Sequence, residues 1–279
     1  NILRSSDRGV SWTTVSPLLD ENDRAANRVP LNIDFDDPSI LWTASRRLWR
    51  TDDGGASWQA ASAALRTVST APLTAISAPS DVSGTMLVGG SCGEIWTIPG
   101  AFESDASASP APASPLSNLG PCPVSVTSLT WDRLREGTGY ATYSPNSSPI
   151  EEDAPFVWKT TDGGFTWLPA SGSGSTSLPN GIGIHTLWID PEIPGRIYVG
   201  SDIGIFVSPD AGSSWAADGD SFPAVRTLDL VSTPDACTLF AFTHGRGAYR
   251  IPLRGGPCRA GALALPRGSP PTPVAGRRP

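Results

Sequence analysis

Apolar positions in this chain recur in short runs rich in Val, Ile, Leu, Trp, Phe and Tyr, and clusters of Gly, Pro, Asp and Asn close each run. Runs that short, so often interrupted by turn formers, predict strands rather than helices. Residues 182–217 show the unit. GIHTLWID predicts a first strand and PEIPGR a Pro/Gly turn. IYVGS follows as a second strand, a tight Asp-Ile-Gly turn leads to a third, IFVS, and the turn PDAG to a fourth, SSW.

The last of those turns belongs to a pattern that occurs four times: Ser or Thr, then Asp, Gly and Trp two, four and seven positions on. The copies are Ser5-Asp7-Gly9-Trp12, Thr51-Asp53-Gly55-Trp58, Thr160-Asp162-Gly164-Trp167 and Ser208-Asp210-Gly212-Trp215. Aromatics (Trp49, Trp158, Phe206) precede three of the four. Asp7 and Asp53 are 46 residues apart, and Asp162 and Asp210 are 48 apart. Asp53 and Asp162 are separated by 109, two periods with insertions, so a unit without the pattern, MLVGGSCGEIWTIPG (86–100), is expected between them. A period in the high forties is the length of a four-stranded propeller blade, slightly above the roughly 40–45 residues of WD-type blades. The Asp suits a turn in which its carboxylate accepts backbone N–H groups ahead of it. The Gly permits positive φ. The Trp points toward a neighbouring blade, where its ring buries about 150–250 Å², worth at most about 4–6 kcal/mol.

These four motifs, with the ending FAFTHGRGAYRI (240–251), resemble Asp-box (BNR) repeats. The chain is similar in them to the Asp-box β-propellers, a group that includes sialidases, two-propeller xyloglucan hydrolases, sortilin-type receptors and photosystem II assembly-factor-like proteins. The resemblance covers nearly everything up to about residue 253. It implies an all-β propeller of four-stranded blades, six or seven in the whole protein. It also implies that the box lies between the third and fourth strands, on the face opposite the binding or active site. Asp7, Asp53, Asp162 and Asp210 are therefore expected to be structural.

In chain order, residues 1–15 are expected to end a first blade whose earlier strands are missing. Residues 29–60, 70–102, 123–170, 182–217 and 224–253 form five more, and a Gly-, Pro- and Arg-rich tail occupies 254–279. With no start Met and no leader, the chain is expected to be a fragment or processed form. Insertions at 103–123, 144–156 and 171–181 fall on the top face, among the loops after second and fourth strands, where function usually lives on a rigid scaffold.

Composition narrows the chemistry. The 29 Gly and 28 Pro fit a turn-rich fold, and most of the ten Trp sit at repeating positions. A net charge of −7 and the absence of a basic stripe argue against nucleic acid as a partner. No run is long and apolar enough to predict a membrane span. Four cysteines, paired Cys92–Cys122 on the top face and Cys237–Cys258 at the bottom, suit an oxidising, extracellular or periplasmic setting; four reduced cysteines are the alternative. Neither a metal site nor a cofactor motif is present.

For a glycan hydrolase, two carboxylates on the top face are needed, about 5–10 Å apart. Asp202, Glu94 and Glu152 are the candidates, with Glu151 and Asp153 beside the last and Asp20, Glu21 and Asp23 in the first crossing. Asp34, Asp36 and Asp37 are expected to form a turn. Ligand contacts are expected from His244 and Arg246 of the THGRG turn, from Arg46 and Arg226, and from His185 at the start of a first strand. Arg28 and Arg47 complete the top-face arginines. Sialidase-like chemistry is disfavoured, because the Arg-Ile-Pro tripeptide here (250–252) closes the last blade instead of preceding a first triad arginine. In xyloglucan hydrolases the two acids come from two propellers, and one is present here. The expected role is a non-catalytic binding or assembly module with a glycan or protein ligand on the top face; the alternative is a glycoside hydrolase.

Overall fold

The structure, a computed structural model, describes residues 2–17, 29–34, 37–65, 72–78, 84–101, 116, 122–146, 154–219 and 222–253. The described chain is all-β, and each sheet is an antiparallel meander of strands consecutive in sequence. β1 (Leu3–Arg4) pairs β2 (Thr13–Thr14). A four-stranded sheet follows, from β3 (Leu31–Ile33) through β4 (Leu41–Ala44) and β5 (Leu48–Thr51) to β6 (Gln59–Ala60). β7 (Leu73–Ser77), β8 (Met86–Gly90) and β9 (Ile95–Ile98) form a three-stranded sheet, the unit without the box. β10 (Val124–Trp131), β11 (Gly139–Pro145), β12 (Val157–Thr160) and β13 (Leu168–Pro169) make the next. Then come β14 (Ile184–Ile189), β15 (Ile197–Ser201), β16 (Gly204–Ser208) and β17 (Ala216–Ala217), and a last three-stranded sheet of β18 (Thr227–Ser232), β19 (Thr238–Thr243) and β20 (Ala248–Pro252).

First strands lie against first strands: β3 on β7, β7 on β10, β10 on β14 and β14 on β18. Sheets stacked this way radiate from a shared axis, which is propeller geometry. Between them the alternate residues of each strand make the core, including Leu87, Ile95, Val126, Tyr143, Ile184, Leu187 and Val199, all buried.

The four repeated turns share one hydrogen-bond scheme. The Ser or Thr hydroxyl donates to the Asp carboxylate (Ser5 to Asp7, Thr51 to Asp53, Thr160 to Asp162, Ser208 to Asp210, all 2.7–2.9 Å). The same hydroxyl accepts the N–H of the Gly. The Asp Oδ1 accepts a backbone N–H four residues ahead. The Gly has two reasons to be Gly. Gly164 has φ +92°, and a Cβ there would stand 2.8 Å from Thr97 and 2.9 Å from Leu87 of the preceding sheet.

Packing, unlike the turns, is not uniform. Trp167 and Trp215 are buried and Trp58 is half-buried, but Trp12 is 60% exposed. The burial expected of the first Trp is therefore corrected. Trp58 and Trp215 donate Nε1–H to carbonyls of the sheet before them, Val15 and Ala170. Trp12 and Trp167 donate instead to the Gly of their own turns, Gly9 and Gly164; Trp167 has the β7–β9 sheet before it, whereas no described sheet precedes that of Trp12. Residues 171–178 also depart from expectation. They do not stand free as a face loop: Gly172 N–H donates to Gly212 O and Trp215 N–H to Thr176 O, so the segment seals the joint with the next sheet.

Candidate functional site

Within every sheet described from its first strand onward, that strand and the third run in one direction and the second returns. One end of the molecule, the upper end, therefore collects the starts of the first strands and the turns joining second to third strands. The repeated Asp turns lie at the other end.

Four first strands carry the same irregularity at the upper end. Register skips one residue between Leu73 and Ala75, Val126 and Ser128, Ile184 and Thr186, and Thr227 and Asp229. The skipped residues are Thr74, Thr127, His185 and Leu228. A bulge of this kind re-aims one side chain. Thr74 donates to Val126 O (2.7 Å) and Thr127 to Ile184 O (2.6 Å), each tying its strand to the first strand of the next sheet.

His185 departs from that series. Its Nε2 lies 2.8 Å from Oδ1 of Asp202, in the turn between β15 and β16. Arg226, one residue before β18, donates Nε–H to the same oxygen at 2.7 Å. The Gly183 N–H donates to Oδ2 at 2.8 Å, and the His244 N–H joins the Arg226 carbonyl at 2.9 Å. The side chains are 12% (His185), 30% (Asp202) and 50% (Arg226) exposed, so the cluster opens to solvent through Arg226. Burial pushes the Asp202 carboxyl up, but the hydrogen bonds from His185, Arg226 and Gly183 outweigh it and hold the carboxyl below its usual range. Asp202 is ionised at neutral pH.

Of the residues singled out in the sequence, Asp202, His185, Arg226 and the backbone of His244 thus come together. His244 and Arg246 are exposed in the β19–β20 turn. Glu94 does not join them. It sits in the β8–β9 turn, two sheets away, where its carboxylate accepts the Cys92 N–H. Burial, reinforced by the Glu94 charge, pushes the Tyr143 phenol far above its usual range. Arg46 lies in the β4–β5 turn with its carbonyl bonded to Leu65 N–H. The neighbouring Arg47 covers the Trp49 ring at 5.8 Å. Glu151, Glu152, Asp153, Asp20, Glu21, Asp23, Arg28, Asp36 and Cys258 fall outside the described residues. Asp34 and Asp37 form a turn at the lower end, where Asp34 accepts the Asp37 N–H.

The Cys92–Cys122 disulfide is formed and anchors the upper end beside Glu94. Cys237 is also disulfide-bonded. Asn146, which begins an Asn-Ser-Ser sequon, has its amide engaged: Nδ2 donates to Ser91 O and Cys122 O, and Ser125 donates to Oδ1. It fastens the disulfide-bridged loops. Among the described residues no group of three His, Cys, Asp or Glu side chains could hold a metal ion. No described helix is long and apolar enough to cross a membrane. At the lower end a cavity of about 430 Å³ is lined by Trp131, Trp188, Leu134 and Ile189, but its buried carboxylate, Asp132, is committed to the Leu134 N–H.

No protein-family model matches the chain. It is similar to a xyloglucanase from a Paenibacillus species, 26% identical over 258 residues that cover 80% of this chain and 24% of that protein. A xyloglucanase from Hypocrea jecorina is 25% identical over 272 residues, covering 84% and 31%. The chain thus spans about a quarter to a third of the length of these relatives. Among solved structures, the GH74 xyloglucanase of Xanthomonas campestris superposes with a TM-score of 0.53 at 18% identity, covering 79% of this chain and 36% of its own. YCF48 from Cyanidioschyzon merolae superposes with a TM-score of 0.55 at 16% identity, covering 89% and 73%. Together with the radial stacking of the sheets, these likenesses place the fold among the β-propellers.

Sequence reasoning missed the bulge that aims His185 at Asp202. A signal for it exists: aligning the first strands of the units puts His185 where two others carry Thr.

Proposed function

We propose that the chain is a glycan-facing propeller of a secreted glycoside hydrolase acting on xyloglucan-type β-glucan, and that Asp202 supplies one of its two carboxylates. The observation that carries this is the similarity to xyloglucanases, which extends over four-fifths of the chain. It favours the hydrolase over the non-catalytic module expected from the sequence. The four repeated turns are, in this reading, Asp-box turns facing away from substrate, in a ring of six or seven blades. The Cys92–Cys122 disulfide supports an extracellular setting.

Hydrolysis at a glycosidic bond needs a protonated acid and an ionised partner that activates water or attacks the sugar. A carboxyl held below its usual range cannot be the proton donor, so Asp202 takes the ionised role. The acid then comes from another part of the protein, in keeping with the share of the relatives that this chain covers. One observation favours the non-catalytic reading: two charged or polar donors on Oδ1 weaken Asp202 as a base.

The test is release of reducing ends from xyloglucan by the full-length protein and by its D202N variant. Turnover is expected in the first and a loss of about 10²–10⁴-fold in the second, with an unchanged melting temperature. Xyloglucan binding without turnover returns the non-catalytic reading, and neither binding nor turnover overturns the proposal.

A further inference from the structure

We infer that His185 is a positioning residue for Asp202, placed by the replacement of an inter-sheet Thr bond with a bond inside the site. The inference rests on the reading of Asp202 given above, but its geometry stands apart from any reaction. The Thr74 and Thr127 bonds each end on the carbonyl preceding the next bulged residue: Val126 before Thr127, Ile184 before His185. The corresponding acceptor for position 185 is Thr227 O, before Leu228. A Thr at 185 would close that joint like the other two. The imidazole instead reaches Asp202 in its own sheet.

The consequence is an orientation. Oδ1 of Asp202 is held by His185 and Arg226 together, whereas Oδ2 is held by a single backbone N–H, from Gly183. A carboxylate oxygen has room for about two donors, so Oδ2 is the atom left to meet a water or a sugar hydroxyl. The imidazole, largely buried on the bulge, fixes the plane of the carboxylate, and Arg226, half in solvent, bonds the same oxygen. Loss of the imidazole frees the carboxylate to turn about its Cβ–Cγ bond, and misplacement of a reacting group by about 1 Å costs about 100-fold in rate.

The experiment uses the full-length protein with H185T, H185Q and D202N. H185T carries the residue of two of the three other bulges, so it is expected to melt at or above the wild-type temperature while kcat on xyloglucan falls about 100-fold and KM stays within about twofold. H185Q, whose amide nitrogen still reaches Oδ1, is expected to recover most of the rate. Wild-type kcat in H185T beside an inactive D202N overturns the inference and leaves the role of Asp202 intact. Wild-type turnover in D202N overturns that role instead. In that case, or if the protein does not turn over xyloglucan, positioning is read from the Asp202 carboxyl ¹³C titration. H185T is expected to raise its midpoint, and an unmoved midpoint overturns the inference.

Discussion

Strand β16 has an aspartate beyond each end, Asp202 in the turn before it and Asp210 in the turn after it, and both carboxyls are held below their usual range. The causes differ. At Asp210 the leading cause is the Ser214 hydroxyl, and its other donors belong to the same turn: the Ser214 N–H and the Ser208 hydroxyl. Asp202 takes its side-chain donors from residues 17 and 24 positions away. A carboxylate satisfied by its own turn shapes the backbone and has little left for a ligand. One held at its rim by distant side chains, and partly open to solvent, is aimed. The same residue type with the same direction of shift thus serves structure at one end and a site at the other.

The largest expected effect that tests this contrast is on stability at the lower end. Trp215→Ala removes a ring that is 5% exposed and bonded to Ala170 O, and is expected to cost about 3–5 kcal/mol in chemical denaturation. Trp12→Ala, at the same position of a turn with the same hydrogen bonds but 60% exposed, is expected to cost under about 1 kcal/mol. Equal losses would show that the Trp matters to the turn rather than to the joint between sheets.

Smaller in stability is the exchange of the two aspartates themselves. Asp210→Ala unties three donors and is expected to lower stability by about 1–2 kcal/mol. Asp202→Ala breaks a pair whose Arg is half exposed and is expected to change stability by under about 1 kcal/mol. If Asp202→Ala is the more damaging to folding, the two ends do not divide structure from site.

The smallest effect is in pH. Asp162 is held at about 2, chiefly by the Thr166 hydroxyl and N–H. Its folded pKa lies below the unfolded value of about 3.9, so its stabilisation is complete above that value and is lost as pH falls toward 2. The stability gap between wild type and Asp162→Asn is therefore expected to narrow when denaturation is followed from about pH 5 down to about pH 2. A gap independent of pH would mean that the carboxylate charge is not what the turn uses.

Much of the architecture was legible because it is local. Strand runs end in Gly, Pro, Asp and Asn, and the hydrogen bonds of each repeated turn span two to four residues, so their spacing marks the repeat and exposes the unit without it, β7–β9. The site was legible only as a set of residues at one end. Asp202, His185 and Arg226 could be assigned to the upper end from strand order, yet nothing in their spacing separates them from Glu94 or Arg46. What separates them is that the skipped residue of β14 is a His within reach of Asp202, and that β18 beside it brings up Arg226. The 171–178 segment misled for the same reason: its Gly- and Ser-rich composition reads as a free loop, and only the stacking of sheets puts it against Gly212 and Trp215.

What the sequence alone determined, then, is the class, the repeat and the chemistry of its turns, since alternation along a strand and side chain-to-backbone bonds over a few residues depend on near neighbours. The tertiary structure decided which tryptophans are buried and which carboxylate is anchored. Both depend on the face that one sheet presents to the next. That face is set by register: at the same one-residue skip, a Thr ties two sheets together where a His holds an aspartate.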